Sequence, residues 1–117
     1  MAIDRQALDK LQNMVGGDEA DLIEIIASFL DEAPALMDAL QKSARKGDLD
    51  LMRRSAHSLK SNARDMGAFD LAETCSRIEK IAGGGAAVAD EDVARAAQEM
   101  TDAIFELRRM YDFGGSA

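Results

Sequence analysis

The chain contains one histidine, His57, and the sequence around it is crowded with cations. Imidazole is both a nucleophile and a base near neutral pH, so its neighbours decide which chemistry is open to it. Each residue of a helix advances by about 100°. At that spacing Arg53 and Ser61 lie one turn either side of His57, and Arg54, Lys60 and Arg64 flank the same strip. The apolar positions Leu49, Met52, Ala56, Leu59, Ala63 and Met66 recur at intervals of 3 and 4 and stay off the strip's centre. An exposed imidazole ringed by cations is therefore expected. Positive neighbours disfavour the protonated ring, and they stabilise an anion attached to it. Phosphoryl transfer asks mainly for positioning and neutralised charge. A lone surface histidine is more often an ordinary surface residue, so spacing alone reaches only an exposed histidine in a basic strip.

Other chemistries find less support. Cys75 is the single cysteine. It forms no internal disulfide and reads as a small core residue. One histidine and one cysteine cannot build a zinc site. A thiol hydrolase would need an oxyanion site and an orienting third group, and nothing suggests either. No P-loop, kinase or other nucleotide-binding motif occurs, so no use of ATP is expected. The seven methionines read as core filler, with Met52 and Met66 as candidates to line a docking face.

Five helices must position these residues. The first is expected from Asp4 to about Val15, with Leu8, Leu11 and Val15 on one face and Gly16-Gly17 as its end. Asp18 caps a second, from about Glu19 to Lys46, in which Pro34 predicts a kink or break near Leu30–Ala33. Gly47 stops it and Asp48 caps the third, Leu49 to Met66, which carries His57. Gly67 separates that from a fourth, Phe69 to Ala82, with Leu71, Thr74, Cys75, Ile78 and Ile81 inward. A triglycine loop follows. Asp90 then caps the last helix, which runs to about Tyr111 on a stripe of Val93, Ala97, Met100, Ile104, Leu107 and Tyr111. The expected fold is all-α: an antiparallel four-helix bundle with a short additional N-terminal helix. Residues 1–113 form one domain and 114–117 a disordered tail.

Composition agrees with that class. The 117 residues are 47% hydrophobic and 31% charged, with four Phe, one Tyr and no Trp. The formal net charge is -8, which argues against nucleic acid and anionic membranes as partners. Yet residues 42–64 hold seven cations against two anions, a local basic patch suited to an anionic ligand or acidic partner. No signal-peptide pattern and no long apolar run occurs, so a cytoplasmic protein is expected.

The run Ala56–Leu71, AHSLKSNARDMGAFDL, resembles the signature of histidine-containing phosphotransfer (HPt) domains, A-H-x-L-K-[GS]-x-[SA]-x-x-[hydrophobic]-G-A-x-x-L. It continues into Cys75–Glu79, CSRIE, which is similar to the family's C-x-x-[LI]-E. Phe29–Pro34 looks like the family's second helix, which suggests that Pro34 kinks it rather than ends it. The resemblance covers most of the chain. It implies that His57 is the phospho-acceptor through Nε2, that Lys60 helps hold the phosphoryl oxygens, and that Glu79 orients the ring through its other nitrogen. Glu79 could instead pair with Arg77 or Lys80. Gly67 is implied as the helix-ending glycine near the docking surface. Ser61 stands where many members have glycine, and being small it leaves the ring accessible. Asp65 adds a negative charge near Gly67 that bears on partner choice.

The function so implied is that of a phosphorelay intermediate between receiver-domain aspartates, a carrier without kinase activity of its own. Its partners would be response-regulator receiver domains and a hybrid histidine kinase, meeting a strip of Arg53, Arg54, Ser61, Arg64 and Gly67. The protein itself would hold no cofactor; the Mg²⁺ and the acceptor aspartate would belong to the receiver. A monomer is implied, and Met1 with the short tail suggests a free-standing protein rather than a module. The competing role is a non-catalytic adaptor that binds receivers or kinases without being phosphorylated.

Overall fold

The computed structural model describes residues 2–111 and 113. Its helices are α1 (Arg5–Met14), α2 (Glu19–Lys46), α3 (Leu49–Asp65), α4 (Phe69–Gly83) and α5 (Asp90–Met110), with no strand among the described residues. Three begin on an aspartate whose carboxylate accepts from an otherwise unpaired backbone N–H: Asp4 from Gln6, Asp18 from Ala20 and Asp48 from Leu51. Gly47 ends α2 in the left-handed region at φ +69°. Asp90 does not cap α5. Ala89 holds the cap position without a side-chain bond, and Asp90, Glu91 and Asp92 occupy the first turn, where their charge complements the helix dipole.

The helix α2 is unbroken through Pro34 over 28 residues. The proline faces solvent, while Leu30, Ala33 and Met37 beside it are buried. Tertiary packing of that face offsets the hydrogen bond that the proline removes.

Helices α2, α3, α4 and α5 pack in a closed ring, α5 returning to α2, and α1 lies across α2 and α3. This is the expected four-helix bundle with an extra N-terminal helix. The core is aliphatic and close-packed, with Leu22, Ile26, Leu40, Leu59, Ile78 and Leu107 fully buried. Met52 and Met66 are only 2% exposed, so neither lines a docking face; both fill the core. On α5 the buried residues are Val93, Ala96, Ala103 and Leu107, whereas Ala97, Met100 and Ile104 are half-buried. Val93 and Leu107 are in the core as expected, but Ala96 and Ala103 join them while the other three pack against its edge, so the buried face is turned slightly from the stripe read in the sequence. Ile81, Leu11, Val15 and Tyr111 are likewise half-buried rather than core.

The N-terminal segment straps this bundle. The Ile3 amide donates to Glu106 Oε2 of α5 at 2.9 Å, and the Asp4 amide donates to the Gly67 carbonyl at 2.9 Å. Ile3 itself is 1% exposed. The expected tail, 114–117, lies outside the described residues.

Candidate functional site

The turn Met66–Ala68 sends α4 back antiparallel along α3, and the seam between them sets the site. His57 on α3 faces Glu79 on α4, with Nδ1 and Oε2 2.7 Å apart. An ionised carboxylate only accepts, so Nδ1 carries the proton. In a neutral ring that leaves the Nε2 lone pair free. The His57 side chain is 58% exposed, so Nε2 stands on an accessible surface.

Glu79 has a second partner. The Lys60 ammonium donates to its Oε1 at 2.5 Å. Lys60 and Glu79 are mostly covered, with side chains 15% and 20% exposed. The hydrogen bond from Lys60 is the main cause that holds the Glu79 carboxyl below the usual carboxylate range; partial burial opposes it, and the His57 bond adds to it. Arg77 does not compete for Glu79. It reaches Asp92 on α5 at 3.3 Å.

The wider cation ring is less free than the spacing implied. Arg53 and Arg54 both turn to Asp50 in the first turn of α3, at 3.1 and 3.2 Å. They remain 44% and 62% exposed, so they border the site as a partly neutralised pair. Ser61 and Arg64 are exposed on the same helix. Gly67 is not on this surface: it is buried under the N-terminal strap. Its φ is +76°, and a Cβ there would stand 2.5 Å from the Asp4 carbonyl oxygen. Its place in the chain is explained by the left-handed turn and the close passage of the strap. The structure therefore brings His57, Lys60 and Glu79 into one network, sets the two arginines, Ser61 and Arg64 on its rim, and keeps Gly67 apart.

A family model described as the Hpt domain matches residues 24–112. The chain belongs to the Hpt domain family. Hpt domains are phosphotransfer carriers of two-component systems, not kinases. The fold agrees with a solved one. Histidine-containing phosphotransfer protein B (HptB) from Pseudomonas aeruginosa PAO1 matches with a TM-score of 0.81 and 24% identity, covering 94% of this chain and 96% of that one. At that identity the likeness is one of architecture. No curated protein matches the chain.

Two further groups of this Hpt domain lie close to the network. Cys75 is fully buried one turn before Glu79, and burial, then the charges of Glu99 and Glu79, push its thiol up to about 12. It is therefore not a thiolate nucleophile. Glu99 of α5, which the sequence reading did not single out, has Oε1 buried without a hydrogen-bond partner among the described residues. Burial raises its carboxyl above the usual range, while a bond from Thr74 works the other way. No motif signalled it, since its environment is created only when α4 and α5 pack. Among the described residues no three His, Cys, Asp or Glu side chains are grouped to hold a metal ion. No described helix is long and apolar enough to cross a membrane.

Proposed function

We propose that this Hpt domain is a phosphorelay intermediate in which His57 Nε2 takes a phosphoryl group from the aspartyl phosphate of one receiver domain and gives it to the aspartate of another response regulator. The observation that carries this reading is the His57–Glu79 contact on a ring that stays open to solvent. It pairs a proton fixed on the inner nitrogen with a free, outward lone pair on the other.

The step is a displacement at phosphorus. The Nε2 lone pair forms the P–N bond as the P–O bond to the donor aspartate breaks, and the aspartate leaves as a carboxylate. The ring then bears a proton on Nδ1 and phosphorus on Nε2, and so takes on positive character. Glu79 opposite Nδ1 stabilises that charge. Lys60 holds Glu79 in place. An ammonium has three donors, and the two not given to Glu79 remain for the phosphoryl oxygens. Mg²⁺ and the acceptor aspartate are assigned to the receiver, and the receiver of a hybrid histidine kinase is the upstream donor. Arg53, Arg54, Ser61 and Arg64 form the rim that meets it.

Incubation with a ³²P-labelled receiver tests this. Label should move to the wild type as acid-labile phosphohistidine and should not move to His57→Gln. Failure of every phosphorylated receiver to label the wild type, or undiminished labelling of His57→Gln, defeats it. Receiver binding that is unchanged in His57→Ala, with no phosphohistidine formed, identifies an adaptor instead.

A further inference from the structure

Gly83 is the only glycine within a helix among the described residues, and its backbone does not require one. The positive-φ glycines are Gly16, Gly17, Gly47, Gly67 and Gly85, and Gly83 is not among them. Glycine in a helix is less favourable than alanine, so its presence needs another reason. Gly84 and Gly85 already supply the loop.

The reason lies across the α3–α4 seam. A Cβ on Gly83 would stand 3.3 Å from Arg53 Cδ and 3.9 Å from Cγ. Gly83 follows Glu79 by one turn of α4, and Arg53 precedes His57 by one turn of α3. Because the helices run antiparallel, Arg53 over Gly83 is the rung next to His57 against Glu79. Asp50 anchors the guanidinium at 3.1 Å, and the bare Gly83 backbone receives the aliphatic stem.

We propose that Gly83 is a positioning residue for docking: its missing side chain makes the notch that lays Arg53 beside the phospho-accepting face, where Arg53 meets the acidic surface of a receiver domain. The inference rests on the relay reading above. The competing explanation is that Gly83 merely softens the loop, in which case its replacement acts without Arg53.

The test uses Gly83→Leu, Arg53→Ala and the double variant. Leucine at an exposed helix end favours the helix, and circular dichroism checks that folding is retained. In the wild type, NMR should show an NOE between Arg53 Hε or Hδ and the Gly83 α protons; its absence overturns the proposal. For transfer from a phosphorylated receiver, Gly83→Leu should raise KM about threefold with kcat unchanged, as should Arg53→Ala, the size expected of one exposed charge. The double variant should be no worse than either single one. The rise should vanish at high salt. A KM for Gly83→Leu equal to wild type, a change in kcat instead, or effects that multiply in the double variant would overturn the proposal. A wild type that accepts no phosphoryl group at all strikes the relay reading, and the NOE still decides whether Gly83 seats Arg53.

Discussion

Glu79 meets an imidazole with one oxygen and an ammonium with the other, so its charge state governs both. Its folded pKa is depressed, chiefly by Lys60. A depressed carboxylate contributes stability that is present above its unfolded pKa, about 4.3, and lost as pH falls through the lower folded value. Urea titrations from pH 7 to 3 should therefore show a steeper acid loss for wild type than for Glu79→Gln. The same variant keeps an acceptor oxygen but loses the charge opposite Nδ1, and phosphotransfer should slow by about tenfold. Glu99 behaves oppositely. Its raised pKa means that the folded state is penalised at neutral pH, so Glu99→Gln should raise the urea midpoint at pH 7. That gain should shrink as pH falls through the raised value. His57 as an exposed imidazole was legible in the sequence because the apolar positions of α3 avoid its strip. Its link to Glu79 came only with the family motif. Spacing relates residues along one helix, and this contact crosses 22 positions between two.

The helices themselves were legible almost to the residue, since aspartate caps and glycine stops punctuate the chain. What escaped was rotation and crossing. Of the stripe read for α5, Val93 and Leu107 are buried, but Ala96 and Ala103 join them, and Ala97, Met100, Ile104 and Tyr111 only pack against the core's edge. Gly67 was read as lying near the docking surface, because nothing in the sequence announces that Ile3 and Asp4 fold back over it. That strap yields a prediction at this scale. Gly67→Ala must both hold a positive φ and displace the Asp4 carbonyl from 2.5 Å. It should destabilise by about 2 kcal/mol or more in urea unfolding. Ile3→Ala, which vacates a site only 1% exposed, should cost a similar 2–3 kcal/mol.

The molecule as a whole is acidic, yet residues 42–64 hold half of its fourteen lysines and arginines. Steering by the arginines beside His57 should show in association rates. Arg53→Glu with Arg54→Glu should slow receiver association, more at low salt than at high, in stopped-flow measurements. Asp50 partly cancels both arginines, so Asp50→Asn should speed the same encounter modestly. Equal rates at low salt for all three proteins would place docking elsewhere. The sealed thiol of Cys75 has a different kind of consequence. A sulfhydryl that is fully buried and held protonated up to about 12 is closed to alkylating reagents while the bundle is intact. Each modification event must wait for the helices to part. The rate of labelling by an excess of a disulfide reagent thus clocks spontaneous opening of the native protein, a chronometer for its conformational lifetime that needs no denaturant and no added probe.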